Sequence, residues 1–174
     1  MNYSLNEISK EELYDYMYVN TYAWNETYRG IMDDIFLDKI INELDSNVER
    51  LINKFDQTKI DKPDYKRFLL RVDGEPVGIF GICKSREEAY PYSGELCNIY
   101  LLNKAKKNGY GKIMFEMAKE ELKKMNYKDM IIYCIKDNPT NNFYLHMGGK
   151  LITSKESNIG GKDLIENVYY IENI

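Results

Sequence analysis

The run Lys106-Lys107-Asn108-Gly109-Tyr110-Gly111-Lys112 constrains this chain more than any other. It joins a strand-like stretch at 95–102 to a helical pattern at 109–125. In that pattern Tyr110, Ile113, Met114, Met117, Ala118 and Leu122 form one apolar face, so the helix packs on a sheet. A helix start leaves backbone N–H groups without carbonyl partners, and the helix dipole adds partial positive charge there. Phosphate is the natural guest of such a turn. Gly109 and Gly111 permit a close backbone approach or a positive φ. Lys104, Lys106, Lys107 and Lys112 place cations around the same turn. A P-loop for ATP would need Gly-x-x-x-x-Gly-Lys-Ser/Thr. Here Gly111-Lys112 runs into Ile113, so the Mg²⁺-binding hydroxyl is missing.

The rest of the chain organises around that turn. Helical spacing is read at 10–24, from Leu13, Tyr14, Met17, Tyr18, Thr21 and Tyr22, and again at 35–55. Strands are expected at 67–72 and 76–83, joined by the hairpin signal Asp73-Gly74. A polar loop fills 84–93, and a further strand is expected at 130–135. Asn138-Pro139 reads as a helix cap and first helical residue, with Gly148-Gly149 ending that helix. Two last strands, 150–155 and 166–171, flank a Gly160-Gly161 turn. The tyrosines 14, 18 and 22 read as aromatic packing.

Composition excludes several classes. A chain of 174 residues suits a single domain, 1–174, with a real core. A net charge of −4 argues against a nucleic-acid partner, which calls for a basic stripe. The lysines near Gly109 are a local patch that suits one phosphorylated ligand. Cys83, Cys97 and Cys134 are scattered, and with the lone His146 they give no metal-ligand spacing, so no metal is expected. No apolar run is long enough to span a bilayer and the N-terminus lacks a leader pattern, so a cytoplasmic, membrane-free protein is expected.

The stretch 94–149 resembles the core of the GCN5-related N-acetyltransferases (GNAT). That family's pyrophosphate loop reads Gln/Arg-x-x-Gly-x-Gly/Ala, and a later segment reads Asn, a few residues, Phe-Tyr, then Gly. Gly109, Gly111, Asn138, Phe143 and Tyr144 match. Lys106 stands where Gln or Arg is usual, and Asn103 where Pro is frequent. The segment Trp24-Asn25-Glu26-Thr27-Tyr28-Arg29-Gly30-Ile31 is similar to many small-molecule members.

The resemblance implies an α/β (α+β) fold with a mixed, mostly antiparallel sheet of about seven strands and about four helices. It implies acetyl-CoA as cosubstrate, its pyrophosphate on Lys106, Lys107, Asn108, Gly109, Tyr110, Gly111 and Lys112. The backbone N–H near Leu101 or Leu102 would polarise the thioester, and Asn138 would bond the pantetheine arm or cap its helix. Tyr144 takes the position that supplies the general acid. Glu95 sits 14 positions before Gly109 (109 − 95), where histone-modifying members place their base. Trp24 and Tyr28 would line the acceptor pocket, with the 84–93 loop. Glu26, Glu87, Glu88 and Glu95 would favour a cationic acceptor such as a polyamine. The expected activity is acetyl transfer to a small-molecule primary amine. The alternatives are a protein or peptide acetyltransferase, or a non-catalytic acetyl-CoA sensor. Homodimers also occur in the family.

Overall fold

The computed structural model describes residues 2–174. The chain runs β1 (Tyr3–Glu7), α1 (Leu13–Tyr28), α2 (Asp34–Asn42), α3 (Leu44–Asp61), β2 (Lys66–Val72), β3 (Glu75–Lys84) and β4 (Gly94–Leu101). There follow α4 (Tyr110–Lys124), β5 (Met130–Ile135), α5 (Asn141–His146), β6 (Lys150–Ile159) and β7 (Lys162–Ile171). All the strands lie in one sheet, in the order β1-β2-β3-β4-β5-β7-β6. Every neighbouring pair is antiparallel except β4 with β5. This is the mixed, mostly antiparallel α/β architecture expected from the sequence.

Period-two patterning decides the faces. Leu96 of β4 and Ile132 of β5 point to the side covered by α4, where Met114, Phe115, Ala118 and Leu122 are fully buried. Leu69 and Ile79 point to the other side, against Leu13, Tyr16, Val19 and Ala23 of α1. Sequential alternation thus fills two cores, one per face. A smaller third cluster joins Tyr28, Met32 and Leu37 to Ile135 at the end of β5.

The single helix read at 35–55 is two helices. Glu43 leaves helical geometry at φ −94, ψ 7, and α3 starts at the next residue. The break lets Leu37 cover the end of β5 while Phe55, farther on, packs beside Leu13. One straight rod would not reach both clusters. Among the described residues there are therefore five α-helices, not about four. The regular part of α5 also begins later than the Asn138 cap signal, at Asn141. β6 and β7 extend to Ile159 and back from Lys162, longer than their apolar alternation indicates. Among the described residues no helix is long and apolar enough to cross a membrane.

Candidate active site

β4 and β5 pair over only three positions, Gly94 with Met130, Glu95 with Ile131 and Leu96 with Ile132. Beyond them the strands part. The cause lies on the other edge of β4. Gly81 pairs with Asn98 and Ile82 with Leu96, so Cys97 is an extra residue, a β-bulge. A bulge bends its strand and increases the twist. It also resets side-chain parity: Ile99 joins Leu96 on the α4 face, and Tyr100 turns toward α1.

The gap leaves backbone donors facing nothing in the sheet. Leu102 N–H donates to Val77 at 2.9 Å, and the antiparallel register continues Leu101 with Gly78 and Tyr100 with Ile79. Hydrogen-bonded pairs alternate in such a ladder, so the Ile99 and Leu101 amides point away from β3 into the gap. This corrects the reading of Leu102. Its amide is committed to Val77 and its side chain is buried on the α1 face, so the free donor at the strand end is Leu101.

At the end of β4 the glycine turn closes one side of the gap. Gly109 has φ +80 and Lys107 φ 66, a tight left-handed path into α4. Asn108 folds its side-chain amide onto the carbonyls of Ala105 and Lys106, at 3.3 and 3.1 Å. Among the described residues the amides of Lys107, Asn108, Gly109 and Gly111 donate to no protein acceptor. The Tyr110 ring is buried and meets Tyr3 edge-on at 6.0 Å, so it does not face the turn's concave side. Gly111 lacks a positive φ, and a Cβ there would touch only Phe143, at 3.8 Å. The fold itself does not require glycine at 111; the missing side chain leaves the backbone there open to close approach. Lys106, Lys107, Lys112, Leu101 and Phe143 line the cleft of about 350 Å³ above it.

On the α1–α2 side the gap opens into a second cavity of about 130 Å³. Trp24, Tyr28, Tyr100, Tyr133, Asn138 and Tyr144 line it, with Arg86 and Glu166 as its charged groups. Trp24 packs against Tyr28, with ring centroids 4.7 Å apart and the planes tilted by 56°. Asn138 donates to the Tyr28 hydroxyl at 3.0 Å, and that hydroxyl lies 3.4 Å from the Tyr100 hydroxyl. Asn138 also accepts the Thr140 N–H at 2.9 Å, so it caps the turn into α5 and holds Tyr28 at once. Burial pushes the Tyr100 and Tyr144 phenols well above the usual range, which keeps both protonated. Tyr144 packs against Phe143 and Tyr169, each at 5.7 Å between centroids. Its hydroxyl has no hydrogen-bond partner among the described residues.

Three of the four glutamates read as acceptor attractants are held by other groups. Glu95 is buried and does not line the cavity. Its Oε2 accepts the Arg86 N–H at 2.9 Å and its Oε1 meets Arg86 Nε at 3.1 Å. Burial raises its pKa and Arg86 opposes the rise. With both oxygens on Arg86, Glu95 is not placed to take a proton directly from an amine in the cavity. Glu26 accepts the Asn103 N–H at 2.7 Å. Glu88 is exposed. Glu87 accepts Lys155 Nζ at 2.6 Å and the Tyr133 hydroxyl at 2.7 Å, tying the 84–93 loop to β5 and β6.

Lys155, then Tyr133, hold the Glu87 carboxyl below its ordinary value of 4.5. A lowered folded pKa stabilises the fold fully above the ordinary value, and that stability is lost as pH falls through the folded one. Thermal melts of Glu87→Gln are therefore expected to depend less steeply on pH than wild type below 4.5. Parallel curves would show that the tie carries no stability.

The fold also assembles what the sequence scatters. Cys83, Glu95 and Cys97 bring their ligating atoms within 4.8 Å of one another across β3 and β4, with Arg86 already matched to the carboxylate. The lone His146 is exposed at the end of α5, its Nδ1 2.6 Å from the Asn142 carbonyl.

Known proteins carry the same scaffold. The PaiA N-acetyltransferase of Thermoplasma acidophilum, solved in complex with coenzyme A, aligns over 99% of both chains with a TM-score of 0.72 at 19% identity. The yncA structure from Salmonella typhimurium, with its cofactor acetyl-CoA, covers 99% of this chain and 94% of its own, with a TM-score of 0.69 at 11% identity. The uncharacterized N-acetyltransferase YuaI of Bacillus subtilis (strain 168) is 23% identical over 166 residues, 94% of this chain and 89% of the relative. The acetyltransferase (GNAT) family model matches residues 24–148, which include the aromatic rings of the cavity, the β4–β5 gap, the glycine turn and Tyr144. With most of its length under that match, the chain belongs to the GNAT family of N-acetyltransferases.

Proposed function

We propose that this N-acetyltransferase moves the acetyl group of acetyl-CoA to the primary amine of a small molecule. One observation carries the small-molecule reading. The cavity that meets the gap from the α1–α2 side is only about 130 Å³ and is walled by aromatic rings. It suits an amine on a short stem. Structural neighbours that hold coenzyme A or acetyl-CoA support the donor.

Acetyl-CoA supplies an activated acyl group on a thiol leaving group; this chain supplies binding, polarisation and protons. The amides of Lys107, Asn108, Gly109 and Gly111 suit the pyrophosphate, with Lys106, Lys107 and Lys112 as counter-charge. The Leu101 and Ile99 amides suit the pantetheine arm and the thioester carbonyl. A single such donor is worth ~10²–10³ in rate. Tyr144, protonated and with an unpartnered hydroxyl, suits proton donation to the departing sulfur. Trp24 and Tyr28 flank the acceptor, since an ammonium over such rings gains cation–π attraction.

Calorimetry with acetyl-CoA, followed by thiol-release assays with 1,4-diaminobutane and with a lysine peptide, tests this reading. Micromolar acetyl-CoA binding and preference for the free diamine are expected. Preference for the peptide would make the chain a protein acetyltransferase. Binding without transfer to either would make it a sensor.

A further inference from the structure

Of the two charged groups in the acceptor cavity, one has a counter-ion and one does not. Arg86 has Glu95 at 3.1 Å, and its guanidinium lies 4.0 Å from the Tyr133 ring centroid. Glu166 has no hydrogen-bond donor and no ion-pair partner among the described residues. Lys155 stands directly opposite it in β6 but reaches to Glu87 instead. A half-buried carboxylate among aromatic rings is unfavourable unless something positive completes it.

Its position is specific. Glu166 pairs with Ile135, the last residue of β5, where the β4–β5 gap is past its final shared rung. Leu164, two residues earlier on the same face, packs with Tyr28 and Ile135. Tyr144 belongs to the opposite face, in the core under α4. Both nevertheless line the same cavity. A carboxylate and a phenol thus stand on the two sides of the opening.

We propose that Glu166 binds the ammonium group of the acceptor and takes its proton, a role that rests on the acetyl-transfer reading above. A primary ammonium has a pKa of ~10.4, so at neutral pH a proton must leave before attack. Glu166 accepts it, and the nitrogen lone pair forms the C–N bond at the thioester carbon. The C–S bond then breaks, and the Tyr144 hydroxyl gives its proton to sulfur. Of the two protons that nitrogen gives up, one passes from Glu166 to water and the other restores Tyr144 through solvent. The products are the amide, the free thiol and one proton in solution.

The test compares wild type, Glu166→Gln and Glu166→Asp. Glu166→Gln is expected to lower kcat/KM for 1,4-diaminobutane by ~10²–10⁴-fold. Calorimetric binding of the diamine to coenzyme A-saturated protein should be lost, while acetyl-CoA affinity stays unchanged and Tm does not fall. Glu166→Asp, which keeps the charge, should retain part of both. Wild-type rate and diamine binding in Glu166→Gln would overturn the role of Glu166 and leave acetyl transfer standing. A wild-type protein that binds acetyl-CoA but acetylates neither the diamine nor a lysine peptide would overturn the transfer reading and the role together.

Discussion

Tyr144→Phe is expected to lower kcat for acetyl transfer by ~10²–10⁴-fold, with acetyl-CoA affinity unchanged. The substitution removes one oxygen and little else. The ring sits against Phe143 and Tyr169, and phenylalanine keeps those contacts. Because the hydroxyl has no partner among the described residues, its loss orphans no donor or acceptor, and Tm should hold. Burial keeps the phenol protonated across neutral pH, so the form in place is the one that can donate. Single-turnover measurement of thiol release, with binding measured separately, isolates the effect to chemistry. An unchanged kcat would remove the acid role and leave Tyr144 as packing.

Asn141→Ala is expected to destabilise the protein by at least ~3 kcal/mol. For a chain of this size that is a fall in Tm of roughly 6–12 °C. Its amide donates to the carbonyls of Ile135, Lys136 and Asn138, at 2.9, 3.1 and 2.6 Å. Its oxygen accepts from Asn167 at 3.1 Å and from Tyr169 at 2.6 Å. One side chain therefore fixes the end of β5, the start of α5 and the inner face of β7. Alanine removes all of these bonds. The Ile135 and Asn138 carbonyls keep the backbone N–H of Asn138 and of residue 141, but the Lys136 carbonyl and the Asn167 and Tyr169 side chains lose their Asn141 partner, and the cost exceeds a single bond because the groups share one network. Tyr144 lies three residues farther along α5, so turnover should fall with stability. Thermal melts decide the first point. A Tm within experimental error of wild type would show that water replaces the network.

Local signals carried much of the fold. Asp73-Gly74 marked the hairpin because its residues take φ 50 and 87, which few residue pairs tolerate. β5 appears where its unbroken apolar run, buried on both faces, placed it. What was hidden depends on pairings between distant residues. The bulge at Cys97 leaves no mark in the alternation of β4; it exists only against the register of β3. Glu95 reads as available until Arg86 folds onto it, and Glu87 until Lys155 arrives from 68 residues away. Glu166 carries no signal in the sequence, because a glutamate in a polar strand is ordinary. Its distinction is that it has no partner among the described residues, which only the folded structure reveals. Asn141 reads in the same way, as a polar residue in a helix start.

The three rungs between β4 and β5 divide the sheet into two plates, one of four strands and one of three, joined at a corner. A thioester arm lying against the Ile99 and Leu101 amides would complete the ladder and brace the plates against each other. The spent thiol would then hold the same brace after chemistry is over. Releasing it bares a row of amides that only water can satisfy, so solvent must enter the seam as the product leaves. Turnover in such a frame is bounded by how readily the seam parts as well as by how fast the acetyl group moves.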